Sequence, residues 1–411
     1  MENPQKRIAG LGESKLPQEI IHRIQCFMSG RDAARSTLVS KSWHGAWCMR
    51  PNLCFDQSAF RDRMDKFPIF TMNSMQRYED LNLKIKSFKL CMEVNKNSDL
   101  ATELILKAIK LGAIDLTIEF PISDTGRYFV LPDEVLEPET LVRLCVQGVM
   151  IIAFEKRNKV VTSSNLKSLH LSYVSVNGDF ISDLISRCPS IENLRLTKLR
   201  NSHLFNDLWP QFACLKELVI ENINLGDVRI CSPSLERITI HLHEFRNVMN
   251  AEFDVPNIRY FKFDGRDIPC LKFKSICSWE CESDIHIHFT PYMAGASSPY
   301  MASASWFSSL NQLLKMLSPS RVSLSIFIGN MQYDGYRYVG DGSAIPVVEN
   351  LTLEGSAVTR ASMDSLLWSC CPKFINIQKR YAKVVDLKVF RQLKKKTLLD
   401  AGEILHFQRK Y

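Results

Sequence analysis

The chain has no stretch apolar enough, for long enough, to cross a bilayer. Its longest apolar run, Leu141 to Phe154, falls short of a membrane span and contains Arg143 and Gln147. It opens Met-Glu-Asn-Pro-Gln-Lys-Arg, without the apolar core of a secretory signal. It lacks a G-x-S-x-G elbow, a P-loop and the glycine strings of kinases and dinucleotide enzymes. Gly340-Asp341-Gly342-Ser343 shares only composition with a phosphate loop and reads as a turn. An even cysteine count is missing too: thirteen cysteines, mostly in apolar segments, argue against a closed disulfide framework and for reduced, buried thiols. These absences predict a soluble, non-enzymatic, cofactor-free protein of the nucleus or cytoplasm.

What is present fits a folded chain of more than one domain or an elongated array: 411 residues, 45% hydrophobic and 23% charged. The formal net charge is +8, and residues 1–50 carry half of it, with eight Lys/Arg against four acids. The remainder is well mixed in sign, so no continuous basic track for nucleic acid is expected. The short runs Lys394-Lys395-Lys396 and Arg409-Lys410 read equally as targeting elements or as solvated charge.

Residues 16–47 read as a compact helical unit. Pro17 suits an early helical position, and Ile20, Ile21, Ile24 and Phe27 recur at helical spacing. Ser29-Gly30 breaks that helix, and Asp32 is placed to cap the next, through Ala33, Ala34 and Leu38. A third helix carries Trp43 and Trp47 four residues apart, hence on one face. So short a piece buries little surface alone and is expected to lean on a partner or on the next domain.

A repeat follows. L-x-x-L-x-L frames occur at Leu166-Leu169-Leu171, Ile191-Leu194-Leu196, Leu215-Leu218-Ile220, Leu235-Ile238-Ile240 and Ile258-Phe261-Phe263, with starts 25, 24, 20 and 23 residues apart. An earlier frame begins at Leu141-Leu144 and a later one at Val348-Leu351-Leu353. Pro189, Pro233, Pro256 and Pro372 each stand two residues before a frame's first apolar position, where proline sets up an extended approach. A single strand-plus-helix unit cannot cover its own apolar side, so repeats stack into a shared core. The ninth position, often Asn or Cys in such repeats, is Val174, Leu199 and Ile223, so the usual asparagine ladder is absent.

The string from Leu16 to Trp47 resembles an F-box, through Leu16-Pro17, the isoleucine face, Asp32-Ala33, Leu38-Val39-Ser40-Lys41, Trp43 and Trp47. With the repeats behind it, most of the chain is similar to plant F-box proteins with leucine-rich repeats. The implied fold is α/β: a three-helix F-box at 12–56 after a flexible 1–11, then an irregular leucine-rich-repeat solenoid, a curved parallel sheet with outer helices. Residues 57–130 would be linker and degenerate first repeats, 131–284 the repeats, and 285–411 a degenerate C-terminal repeat region, with a helix at Trp306–Leu317 and a strand at Val322–Ile328.

The resemblance implies that the F-box binds a Skp-type adaptor, linked to a cullin scaffold and a RING subunit of a ubiquitin ligase. Leu16, Pro17, Ile20, Ile21, Ile24, Leu38, Val39 and Trp43 would supply the contact. Residues between the inward leucines of each frame point to the open face. His170, Arg195, Glu217, Arg237, His241, Tyr260 and Lys262 are therefore the candidates for holding an unidentified target protein, with Tyr and Arg favoured as anchors. Alternatives are a ligand-gated receptor, which needs a clustered basic pocket, a scaffold acting outside the ligase, and a repeat protein merely capped by its helices. Cys277, Cys281, His286 and His288 have zinc-like spacing, but Asp284 to Phe289 alternates with period two, as a half-buried strand does. No metal is assigned on that spacing.

Overall fold

A computed structural model describes residues 16–28, 30–60, 63–94, 98–121, 128–136, 139–148, 150–152, 165–176, 180–200, 213–225, 227–244, 249–274, 281–289, 301–302, 304–328, 332–333, 344–355 and 360–378. The chain divides into two compact units, residues 1–177 with 186–188, and residues 178–185 with 189–411.

The first unit begins with three helices, α1 (Gln18–Phe27), α2 (Gly30–Ser36) and α3 (Lys41–Cys48). Pro17 ends up as the N-cap of α1, its fixed φ already compatible with the helix that follows. Asp32 is not a cap: α2 starts at Gly30, so Asp32 lies in its first turn, 3.6 Å from Arg35. The cap of α3 is Ser40, whose hydroxyl accepts from the Trp43 N–H. Buried Gln25 ties the three helices together, its amide donating to Ser36 Oγ at 3.0 Å and to the Trp43 carbonyl at 3.1 Å. Ile21 is fully buried beside it.

The strand β1 (Asn52–Asp56), at the end of the segment assigned to the F-box, opens a parallel run. It pairs with β2 (Ser87–Cys91), then β3 (Asp115–Phe120), β4 (Arg143–Gly148) and β5 (Ser168–Ser172). Helices α4 (Lys66–Asp80) and α5 (Ser98–Lys110) connect the first three strands. The inward positions Leu53, Phe55, Phe88, Leu90, Leu116, Ile118, Leu144, Val146, Leu169 and Leu171 are all buried, so β2 and β3 share the core of their neighbouring strands. Gly148 closes β4 with φ +114°, and a Cβ there would lie 1.7 Å from the Phe120 carbonyl oxygen, so only glycine fits.

The second unit carries the helix α6 (Phe180–Arg187, shared with the first) and the parallel strands β6 (Asn193–Thr197), β7 (Glu217–Glu221), β8 (Arg237–Leu242), β9 (Tyr260–Gly265), β10 (Glu282–Phe289), β11 (Arg321–Ile328), β12 (Val347–Gly355) and β13 (Cys371–Gln378). Each pairs with the next in that order. Helices α7 (Ala304–Leu317) and α8 (Arg360–Ser369) match the outer helices expected. Between β7 and β10 the outer layer is instead a parallel sheet of Asp227–Cys231, Asn250–Asp254 and Cys270–Phe273. The cause is local: these 20- to 23-residue repeats leave little length for a helix, and Val228, Ile230, Ala251 and Phe253 alternate with polar residues at period two. Phe253, Phe261 and Phe273 fill the space between the layers, with ring centroids 4.9 to 5.8 Å apart. Pro372 differs from the other frame prolines, lying inside β13 opposite Val348.

The ladder missing at the ninth position has a local substitute. Tyr173, Lys198 and Asn222, each directly after its strand, take φ of 59°, 48° and 49°, and the next residues Val174, Leu199 and Ile223 turn inward and are buried. The Lys198 N–H then donates to the Glu221 carbonyl, and the Asn222 N–H to that of His241.

Candidate functional site

Two surfaces gather the candidate residues. The first lies on the N-terminal helices. Phe27 and Leu38 are 84% and 87% exposed, and Leu16, Ile20 and Val39 between 43% and 50%. Isolated exposed leucines are ordinary, but a group of this size on one small helical unit is not. Pro17 is exposed, whereas Ile24 and Trp43 are half-buried. Ile21 does not belong to this surface, because it fills the interior of the helical unit. Phe27 and Met28, not among the residues assigned from the sequence, extend it. The signal was available: Phe27 continues the helical spacing of Ile20 and Ile24. Trp47 has the guanidinium carbons of Arg50 and Arg77 at 5.5 and 5.9 Å from its ring centroid.

The second surface is the open face of β6 to β10. Strand register lines its residues up in rows across neighbouring repeats. One row holds Asn193, Glu217, Arg237, Tyr260 and Glu282. Within it the Arg237 guanidinium lies 4.7 Å from the Tyr260 ring centroid and 4.0 Å from Glu217. Burial pushes the Tyr260 hydroxyl up, and neighbouring Asp284 adds to the shift. A second row holds Arg195, Val219, Thr239, Lys262 and Asp284. Val219, expected on the open face, is buried. Arg195 reaches across to Glu221 at 3.9 Å. Thus six of the seven face residues share one surface in the second unit. His170 belongs to the first, 3.5 Å from Cys145 Sγ.

A third row holds Thr197, Glu221, His241, Asp264 and His286. His286 donates toward Asp284 at 3.0 Å, which raises the imidazole pKa and lowers that of the carboxyl. Asp264 stands among three other imidazoles: His241 Nδ1 at 3.3 Å, His243 Nε2 at 3.3 Å and His288 Nε2 at 2.8 Å. Burial opposes its ionisation, yet these imidazoles hold its carboxyl far below the usual carboxylate range. The spacing Cys277–His288 therefore does not build a site as one block. Cys277 lies outside the described residues, Cys281 is buried, His286 pairs with Asp284 and His288 turns to Asp264. Sequence reasoning missed Asp264 and His243 because they come together only when the chain is folded at the repeat period.

A depression of about 580 Å³ between Asp227, Arg229, Glu252 and Lys272 on the outer sheet is mixed in sign. It is not the clustered basic pocket that a receptor for anionic ligands needs. Cys370 is packed into the core, where burial pushes its thiol up to about 12. Lys394–Lys396 and Arg409–Lys410 lie outside the described residues. No helix among the described residues is long and apolar enough to cross a membrane.

Residues 110–259 match the family model described as FBD-associated F-box protein At5g56370, LRR repeats. The chain is similar to the Arabidopsis thaliana F-box/LRR-repeat protein At3g59200, 27% identical over 69% of this chain and 51% of that one. It is also similar to the F-box/LRR-repeat protein At3g58900 of the same plant, 27% identical over 64% of this chain and 76% of that one. The FBD-associated F-box protein At1g60410 from Arabidopsis thaliana is 25% identical over 55% of this chain and 56% of its own length. This chain spans about half the length of most of the curated relatives it matches. With three N-terminal helices, parallel strands at a repeat of 20 to 25 residues and these relatives, the chain is similar to the F-box/LRR-repeat proteins.

Proposed function

We propose that this protein is a non-catalytic, substrate-recruiting subunit of a ubiquitin ligase. Its N-terminal helices dock on a Skp-type adaptor, which carries the cullin and RING subunits, and its repeats hold a target protein. The reading rests on similarity to F-box/LRR-repeat proteins and, above all, on the exposed apolar group of Leu16, Ile20, Phe27, Leu38 and Val39. Covering a fully exposed side chain of this kind contributes roughly 1.5–3 kcal/mol, and each of the half-exposed Leu16, Ile20 and Val39 about half of that. The sum is comparable to the cost of association, about 4–15 kcal/mol, so polar contacts at the rim are needed for tight binding.

Catalysis by this chain has no part in the scheme. Holding a target beside a charged ubiquitin-conjugating enzyme raises the local concentration of its lysines, and that proximity supplies the rate. The open face of β6 to β10 offers the target an aromatic–arginine pair, Tyr260 with Arg237, flanked by Arg195, Glu217 and Lys262. The protein would work in the nucleus or cytoplasm, where such ligases and reduced cysteines coexist.

The test is co-purification of a Skp-type adaptor with the full chain and with a Leu16→Ala, Ile20→Ala, Phe27→Ala variant. All three side chains are exposed or partly so, and circular dichroism should show both proteins equally folded. Capture by the parent and loss by the folded variant supports the proposal. Failure of the folded parent to capture the adaptor overturns it.

A further inference from the structure

Around His241 and Asp264 of the third row the open face gathers a donor set that target recruitment does not explain. His241 closes the inner part of β8, His243 follows two residues later, Asp264 sits on β9 and His288 on β10. Three segments separated by the repeat period thus bring three imidazoles and one carboxylate together. The ligand atoms of His241, His243 and Asp264 lie within 4.8 Å of one another, and His288 Nε2 is 2.8 Å from Asp264 Oδ1. The His243 and His288 rings meet edge to face at 4.8 Å.

Hydrogen bonding alone serves this group poorly. Asp264 Oδ1 is buried and lacks a hydrogen bond of good geometry, although two imidazole nitrogens lie within 3.3 Å. Protonating all three rings would leave an excess of positive charge around a single carboxylate in a half-buried position. A divalent ion resolves both problems, since it accepts the ring lone pairs and gives the buried oxygen a partner. Imidazole nitrogen with one carboxylate oxygen suits zinc and its neighbours among the transition ions. Tetrahedral bonds of about 2.0–2.1 Å place neighbouring donors about 3.3 Å apart. The three imidazole–carboxylate contacts, at 2.8 to 3.3 Å, are near that spacing. The donors of His241, His243 and Asp264 as a set lie within 4.8 Å and close up around the ion.

The backbone beneath is anchored. The Asn222 side-chain oxygen accepts from the His243 N–H at 2.9 Å, and the Asn222 N–H donates to the His241 carbonyl at 2.7 Å. Ladder pairing fixes His241 opposite Asp264. The side chains of His241, His243 and His288 remain partly open to solvent, so an ion has a way in.

We infer that His241, His243, Asp264 and His288 form a binding site for one divalent transition-metal ion, zinc in the first instance, on the open face of the repeats. The site bridges three consecutive repeats, and it does not depend on adaptor binding by the N-terminal helices. Binding the ion releases any proton on the ring nitrogens and leaves every residue otherwise unchanged.

The test uses the full chain stripped with a chelator and titrated with Co²⁺ and Zn²⁺, with Co²⁺ read by its visible absorption and Zn²⁺ by competition with a chelating dye. The expected result is one ion per chain with the intense absorption of tetrahedral Co²⁺, displaced by Zn²⁺. His243→Gln and Asp264→Asn each weaken binding at least tenfold, while His286→Gln, a neighbour paired to Asp284, retains it. Thermal melts without metal check that the variants fold, and His288→Gln serves as a second ligand variant should one of them melt early. Absence of stoichiometric binding to the folded parent overturns the inference. So does binding of equal strength in His243→Gln and Asp264→Asn, which would mean adventitious ions held elsewhere.

Discussion

The Tyr78 hydroxyl, on α4, donates to the backbone carbonyl of Arg50, just beyond α3. Around this bond Arg77 and Arg50 both approach the Trp47 ring, so α3 is fastened to the first repeat rather than left on a free tether. Removing the hydroxyl leaves a buried carbonyl without its donor. Tyr78→Phe should therefore cost about 1–3 kcal/mol, measured by urea unfolding followed through tryptophan fluorescence.

The same hydroxyl gives the fold a pH dependence. An unfolded tyrosine loses its proton near pH 10. In the folded chain burial pushes the Tyr78 pKa up to about 12, against the pull of Arg50 and Arg77. Between those values the folded state holds a proton that the unfolded state has lost. The contribution of the neutral hydroxyl is thus complete below pH 10 and declines as pH rises toward 12. Unfolding measured from pH 9 to 12 should show a steeper loss of stability in the parent than in Tyr78→Phe. Equal slopes would mean that Tyr78 titrates like an exposed tyrosine.

At Gly148 the constraint is in the backbone. Both the positive φ and the 1.7 Å approach of the Phe120 carbonyl exclude a Cβ, and main chain cannot step aside as a flexible side chain can. Gly148→Ala should destabilise the first unit by upwards of about 2 kcal/mol. Chemical denaturation reads this directly, and a midpoint within error of the parent would contradict the backbone geometry.

Much of this architecture was written in local pattern. The frames from Leu166 to Phe263 are buried where the L-x-x-L-x-L spacing put them, and the segments Trp306–Leu317 and Val322–Ile328 formed the helix and strand read from them. The outer strands at Asp227–Cys231 and Asn250–Asp254 were less legible, because short alternating segments compete with the expectation of an outer helix. Ile21 illustrates a different limit. Periodicity gives one apolar face, but not which residues turn inside a three-helix unit and which stay bare. The His241–Asp264 neighbourhood was hidden for a third reason: its members lie 21 to 24 residues apart and meet only through strand register.

On the open face, Arg237→Ala and Tyr260→Ala should each change stability by no more than about 1 kcal/mol, the scale of an exposed cation–π pair. The same substitutions should weaken capture of target at least tenfold while leaving adaptor capture within twofold. A pull-down with the double variant, read separately for adaptor and for a target identified with the parent, distinguishes these effects. Loss of the adaptor together with the target would place the two functions on one surface.

The most direct test of the proposed role is hydrogen–deuterium exchange on the full chain with and without a Skp-type adaptor. Adaptor binding should slow exchange in residues 16–28 and 30–48 and leave β6 to β10 as they were. Protection on those strands instead, or none in the helices at saturating adaptor, would contradict the account.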